Sequence, residues 1–529
     1  MSVTTCDSTA TQATTAPTAV RQYLPFSIFV VCLDLYLLPI MRLVFVGSDQ
    51  GTLVAGAARV ARGQVFARDF FEVVGPGTFY WLGGFFKLFG VTYTAVSLCL
   101  FVTSLGTFLS IYFLSNRVCR QRKLLPCILM IGLYFGAAWP GVSHHTDSNF
   151  FGLVSLVCLV KWLDMRKASL LLATGVLAGV TMSIHWPKGL SLITAILLWL
   201  LIERRRSFIS FAVISQVLAG FCAVIAVVLG YFWSWGALRD LIYANFIWPS
   251  THYGTVNACP YAQGLITNYW NVWTAGKETF SWFNGFAAIL IMPFLLVAAL
   301  PVILLIAGVL QKWKTMKPEV LLYWLCGWAL WLSEFHRRDI YHLVLGAPLL
   351  LILCVYLLGE RREKVAKVAL QALTVSACCL CAFNWILVAL ATHRVTTRVG
   401  SVNMFATDPA ITFLQEHSTP GEEVFAYPYC PIYYFLSDTT NPTPYSILVY
   451  NYNTPSQFQD VVRILEQRRP KYVVWNTTYD RDVARVFPAA VRIRPDQLIV
   501  EPYLKSHYKL IKEEDRIRIM ERMSEDHAD

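Results

Sequence analysis

The stretch LPFSIFVVCLDLYLLPIMRLVFV, Leu24 to Val46, followed at once by Gly47-Ser48-Asp49-Gln50, decides how the chain is read. It is a near-continuous apolar run, long enough to cross a hydrocarbon core of about 30 Å as a helix. In lipid the backbone must satisfy its own hydrogen bonds, which favours a helix over an isolated strand. The run ends abruptly in a carboxylate, so a charged group is expected where the helix leaves the membrane. Further runs of this kind follow, including Val91–Leu114 and Phe208–Trp233. The 529 residues are 56% hydrophobic and only 15% charged, too little charge for a soluble protein of this length. Met1–Gln22 is polar, rich in Ser, Thr and Ala, and has no basic stretch ahead of the apolar run. The first run is therefore read as a retained span and not a cleaved signal.

Eleven or so spans are expected, at roughly 24–46, 91–115, 124–139, 149–163, 169–186, 188–202, 208–233, 284–310, 318–333, 340–358 and 368–393. Alternate loops are short and basic: Arg117, Arg120, Arg122 and Lys123; Lys161, Arg166 and Lys167; Arg204–Arg206; Lys312, Lys314 and Lys317; Arg361, Arg362, Lys364 and Lys367. By the positive-inside rule these loops are cytoplasmic, with the N-terminus inside and the C-terminal region outside. The net charge of +11 is thereby placed at loops that set orientation, and a nucleic-acid partner is not indicated. After His393 the composition turns polar. Helix is expected at Thr407–His417 and Pro455–Gln467, and strand at Glu423–Tyr427 and Tyr472–Trp475. That alternation implies a small α/β unit with a partly parallel sheet. The charged stretch Lys512–Asp529 reads as a helical or frayed tail. The expected division is a tail at 1–23, a membrane region at 24–393 with long loops at 47–90 and 234–283, and an extracytoplasmic unit at 394–529. No Cys/His spacing marks a metal site. Cys259 and Cys430 fall in external segments, where unpaired thiols are favoured over a disulfide.

The chemistry-bearing residues gather in the external turns. Asp49, at the exit of span one, is expected to be partly desolvated and so a candidate general base; capping a helix at Gly51–Arg62 is the plainer role. In the same loop lie Arg68 and Asp69, for which a solvated ion pair is somewhat favoured, and Tyr80 among aromatics. The turn Ser143-His144-His145-Thr146-Asp147-Ser148-Asn149 could assist proton transfer or hold a metal. Adjacent histidines diverge on regular backbone, so one His with Asp147 is the better version. His185-Trp186-Pro187-Lys188 places a lysine outside, against the charge bias. Glu334-Phe335-His336-Arg337-Arg338-Asp339-Ile340-Tyr341-His342 places two arginines there, suited to a phosphate or to a local ion-pair set. Were a span to start just before Arg338, Arg338 and His342 would share a helical face.

Together these residues resemble the GT-C superfamily of glycosyltransferases, in particular the group of dolichyl-phosphate-mannose protein mannosyltransferases and lipid A aminoarabinose transferases. The resemblance rests on Asp49, on the run Gly63…Arg68-Asp69…Pro76…Phe79-Tyr80-Trp81-Leu82…Phe86-Lys87-Leu88-Phe89-Gly90, on Asp147, and on Arg338-Asp339…His342. In the C-terminal unit it rests on Pro420-Gly421…Val424-Phe425…Pro428 and Tyr472-Val473-Val474. It implies a polytopic α-helical membrane protein with a C-terminal extracytoplasmic α/β domain. The activity it implies is transfer of a sugar from a polyprenyl-phosphate-linked donor to a lipid, glycan or protein hydroxyl at the outer face, usually with inversion. Asp49 and Asp147 would be catalytic. Arg337, Arg338, His342, Arg68 and Lys188 would hold the donor phosphate, and His144, His145, Asp69 and Tyr80 would orient the acceptor or sugar. No cofactor is required, with a divalent metal as an option. Two departures stand out: Gln50 occupies the place of a second acid, and Gly75-Pro76-Gly77 stands where aminoarabinose transferases have Lys-Pro-Pro. A transporter or flippase of a lipid-linked sugar is the alternative, but charge within the spans is confined mainly to Asp34 and Arg42, and no repeat is visible.

Overall fold

A computed structural model describes residues 19–524, apart from 47–48, 121, 138–140, 208, 254–256, 266–280, 311–315, 362, 451 and 479–497. Residues 1–18 of the N-terminal tail, Gly47, Ser48, Lys312, Lys314, Arg362 and residues 525–529 thus lie outside the described residues.

The apolar runs singled out in the sequence are helical over most of their described length, but the helix of the first run ends at Ile40 and Leu43 lies beyond it in a β-bridge. The membrane region comprises α1 (Ala19–Ile40), α4 (Tyr93–Val118), α5 (Leu125–Ala137), α6 (His144–Met165), α7 (Ala168–Ile184), α8 (Trp186–Ser207), α9 (Phe211–Ser234), α11 (Ser281–Leu310), α12 (Pro318–Ser333), α13 (Ile340–Gly346), α14 (Pro348–Glu360) and α15 (Lys364–Ala391). Among the described residues six helices are long and apolar enough to cross a membrane, or seven if α13 and α14 form one broken span. Of the others, α5, α7 and α12 have 13, 17 and 16 residues, and α1 has 22. The helix pair α13–α14 bends by 70° where Pro348, which has no N–H, interrupts the hydrogen-bond ladder.

Two shorter helices fill the first long loop, α2 (Asp49–Ala61) and α3 (Gly77–Phe89), and a brief α10 (Leu238–Ile242) follows α9. After α15 come a hairpin, β1 (His393–Thr397) and β2 (Gly400–Met404), and then a four-stranded sheet. The sheet runs β3 (Val424–Tyr427), β4 (Tyr472–Asn476), β6 (Ile517–Arg522), β5 (Tyr508–Glu514). β3 and β4 are parallel and the other two pairings antiparallel, so the sheet is partly parallel as expected. Its helices are α16 (Pro409–His417), α17 (Ile432–Leu436), α18 (Pro455–Arg468) and α19 (Val500–His507). The charged stretch from Lys512 is not a tail. Tyr508–Glu514 and Ile517–Arg522 pair as a hairpin that turns through Asp515 and Arg516, both at positive φ. Ile517, Ile519 and Met520 supply the buried side chains that hold it on the sheet.

The sheet unit is joined to the helical region by more than the chain. Asn403 of β2 pairs in parallel with Leu43, just beyond α1, through Val44 N to Asn403 O at 3.0 Å and Asn403 N to Arg42 O at 2.7 Å. α17 packs onto α2 so closely that a Cβ on Gly51 would come within 2.8 Å of Ile432 N. One end of the helical region is therefore roofed by the sheet unit, and the residues singled out above lie there.

Candidate functional site

Asp49 opens α2, and its side chain is exposed, not desolvated as position alone suggested. The helix turns it off the packed face, where Gln50, Gly51, Thr52 and Leu53 are buried. Its carboxylate accepts a hydrogen bond from the Tyr429 hydroxyl, contributed by the sheet unit. Arg337, Tyr253 and Glu72 all lie within electrostatic reach of it. Gln50, the residue in place of a second acid, faces inward and donates to Tyr93 Oη at 3.3 Å, which in turn donates to Leu43 O at 2.9 Å. A carboxylate there would be buried, which explains a neutral amide at that point. Glu72 is itself enclosed, and burial raises its carboxyl to about 8 even though Ser446 and Arg59 favour the charged form.

Arg337 comes from the turn between α12 and α13. Its Nε donates to Asp339 Oδ2 at 2.7 Å and its Nη1 to Asn257 Oδ1 at 3.2 Å. Asp339 is the N-cap of α13 and accepts from His342 N at 3.0 Å, with His342 Nδ1 at 2.8 Å from the same oxygen. Burial opposes its charge, but His342 and Arg337 outweigh that and hold its carboxyl below the usual range. Because the helix begins at Ile340, Arg338 lies outside it and shares no helical face with His342. Its guanidinium sits over the Phe335 ring, 5.6 Å from the centroid, and among the described residues it meets no carboxylate.

Behind this rim the turns α5–α6, α7–α8 and α12–α13 meet in a cluster of histidines. Ring centroids of His144 and His145 are 3.9 Å apart, His145 and His185 5.0 Å, and His145 and His342 4.8 Å, with His336 5.7 Å from His185. The two adjacent histidines thus converge. Ser143 caps α6 by accepting from His145 N, and in this first turn both rings lean toward His185. His145 Nδ1 lies 2.9 Å from Glu334 Oε2, and Lys188 Nζ lies 2.5 Å from Glu334 Oε1 and 2.8 Å from Asn149 Oδ1. Both Lys188 and Glu334 have 0% of their surface exposed, so this is a fully enclosed pair. Burial works against a charge on Glu334, yet His145 and Lys188 outweigh it and keep the carboxyl well below its ordinary range. Lys188 is therefore engaged inside the protein, and neither snorkels nor faces a ligand. The turn bearing His185 is pressed against Gly75-Pro76-Gly77. A Cβ on Gly75 would meet Ser183 O at 2.4 Å and one on Gly77 would meet Ile184 Cγ1 at 2.6 Å, so the α7 end has room only for glycine at both places.

Asp147 faces elsewhere. It is buried and accepts from Thr78 of α3, with Thr103 Oγ1 of α4 at 3.5 Å. His145 and Asp147 are two residues apart, roughly 200° around a helix, so they cannot act as a pair. Arg68 and Asp69 form the local ion pair, at 2.8 Å, that was somewhat favoured. They border a separate cleft of about 490 Å³ with Arg59, Glu423 and Arg468. Tyr80 hydrogen-bonds Tyr231 at 3.2 Å, away from the rim. Cys259 and Cys430 are both free and buried. Tyr429 and Asn257 carried no signal that a single sequence could show; Glu72, Asn149, His185 and Glu334 did, as polar or ionisable groups in the external turns.

No family model matches the chain, and no curated protein matches it by sequence. The likeness to solved structures is one of fold, at low sequence identity. Among solved structures the chain is similar to ArnT from Cupriavidus metallidurans bound to undecaprenyl phosphate, with a TM-score of 0.53 and 12% identity over 95% of this chain and 98% of that one. It is similar also to the same protein in the apo state, with a TM-score of 0.55, 12% identity and the same coverage.

Proposed function

We propose that this protein is a membrane glycosyltransferase that moves a sugar from a polyprenyl-phosphate donor to an acceptor hydroxyl on a lipid, glycan or protein. The observation that carries the reading is the pairing at the rim: an open carboxylate, Asp49, with the guanidinium of Arg337 in electrostatic reach of it. The likeness over nearly the whole chain to a protein crystallised with undecaprenyl phosphate supports the donor class. The rim lies at the end roofed by the sheet unit, and the basic alternate loops favour that end as the extracytoplasmic side of a plasma membrane, bacterial inner membrane included.

In this reading the acceptor oxygen attacks the anomeric carbon while the bond from that carbon to the phosphate oxygen breaks. The acceptor proton passes to Asp49 Oδ2, Tyr429 holding the other oxygen of the carboxylate. The electron pair leaves with the polyprenyl phosphate, whose growing charge meets Arg337, held in place by Asp339 and Asn257, and Arg338, which meets no carboxylate among the described residues. Attack from the face opposite the phosphate inverts the anomeric carbon. Asp147, packed on Thr78 and Thr103, supports the α3–α4–α6 junction beneath. The test is transfer of radiolabel from polyprenyl-phosphate sugars into acceptor in membranes carrying the protein. Wild type is expected to transfer label, and Asp49→Asn to lose about 10²–10⁴-fold while expressing normally. Full activity in Asp49→Asn would sink the assignment.

A further inference from the structure

We infer that His144, His145 and His185 form a binding site for a borderline divalent transition cation such as Zn²⁺. One ligand atom from each lies within 4.8 Å of the other two, and all three residues are buried. A Zn–N bond of about 2.0–2.1 Å sets tetrahedral ligands about 3.4 Å apart, so each ring would move inward by under about 0.8 Å.

Two independent observations point to a ligand. Nδ1 of His144 and Nδ1 of His185 are enclosed and have no hydrogen-bond partner among the described residues, although the two side chains belong to residues only 9% and 7% exposed. Buried ring nitrogens without partners are unfavourable unless something occupies the space between them. The third ring is already arranged as metal-bound imidazoles are. His145 Nδ1 faces the Glu334 carboxylate, which as acceptor fixes the proton on Nδ1 and leaves the lone pair on Nε2. Lys188 and Asn149 hold that carboxylate system in turn, Lys188 bridging the two. Imidazole donors with no thiolate suit Zn²⁺, Co²⁺ or Ni²⁺ and disfavour Mg²⁺ or Ca²⁺, which take oxygen ligands. Three protein ligands leave a position free, as open zinc sites do.

The ligands come from two turns, α5–α6 and α7–α8, with Glu334 of a third behind them, so a bound ion would fasten three segments together. Next to the cluster, His342 connects through Asp339 to Arg337 of the rim. The inference stands apart from the transferase reading, because binding is read without any assay of transfer.

The experiment uses tag-free full-length protein in detergent, stripped with chelator, loaded with Zn²⁺ and desalted. One retained equivalent per chain is expected by elemental analysis. Co²⁺ in place of Zn²⁺ is expected to give the intense visible d–d bands of a four-coordinate site. His144→Ala and His185→Gln are each expected to weaken Zn²⁺ at least about tenfold, and His507→Gln, far off on α19, to leave it unchanged. No retained equivalent in wild type, a weak octahedral Co²⁺ spectrum, or equal retention in His144→Ala and His185→Gln would overturn the site. Should the variants fail to elute as folded protein, the wild-type cobalt spectrum alone decides.

Discussion

Asp49 and Asp147 both begin helices at the same end of the molecule, and they do opposite work. Asp49 is exposed and accepts a hydrogen bond from a tyrosine of another unit of the chain. Asp147 is enclosed between two threonine hydroxyls from neighbouring helices. Within electrostatic reach of Asp49, Arg337 is part-buried and ion-paired with Asp339. Around His145, two residues before Asp147, the charges are answered internally, Lys188 by Glu334 and Glu334 by His145. A carboxylate at a membrane boundary is thus not one kind of group. An open one can exchange protons with a substrate, whereas an enclosed one with its lone pairs satisfied holds helices together.

The contrast can be broken by exchanging the effects of the two regions. Glu334→Gln should have the largest structural effect, because it strands a buried Lys188. A loss of about 3–5 kcal/mol is expected, read as a lowered apparent Tm in detergent, and Glu334→Gln with Lys188→Met should recover most of it. A single variant as stable as wild type would show that Lys188 is not charged there. Asp147→Asn should cost about 1–3 kcal/mol of stability and spare most of the transfer activity in the protein that remains folded. If Asp147→Asn instead matched Asp49→Asn in lost turnover at unchanged Tm, the division between open and enclosed acids would be wrong. Arg337→Lys keeps the charge but not the fork that grips Asp339 and Asn257, and a fall of about tenfold in kcat/KM, carried mainly by kcat, is expected.

Glu72 gives a pH test. Its carboxyl is raised to about 8, so below the ordinary carboxyl range it is protonated in folded and unfolded chains alike. Between that range and about 8 only the unfolded chain releases the proton, and stability falls as pH rises; above 8 no further loss comes from this group. Glu72→Gln should flatten that part of the Tm–pH curve. An unchanged slope would show that Glu72 is charged in the fold.

Much of the architecture was legible because membrane insertion is a local matter. A run of apolar residues long enough for the bilayer must be helical where it crosses, and the runs here are helical over most of their described length, the first one only as far as Ile40. The sheet unit was legible as far as its pattern was local: Val424–Tyr427 and Tyr472–Asn476 are short buried strands between turns. The hairpin at Tyr508–Arg522 was not, since its alternate residues are charged and only pairing with β4 fixes its register. The turns that carry the chemistry were also legible, as ionisable groups sorted to one side of the loops.

What the sequence by itself determined is therefore the helical membrane region, the polar C-terminal unit, and the short list of acids, histidines and arginines at one end. Tertiary structure alone decided which of them meet. Helix rotation sent His145 and Asp147 to different neighbours, the start of α13 at Ile340 left Arg338 outside it, and Gly75 and Gly77 let the α7 end bring His185 to His144. The physical reason is range: hydrophobic length and helix periodicity act over adjacent residues, whereas a hydrogen bond from Tyr429 to Asp49 spans 380 positions of chain and exists only once the fold has closed.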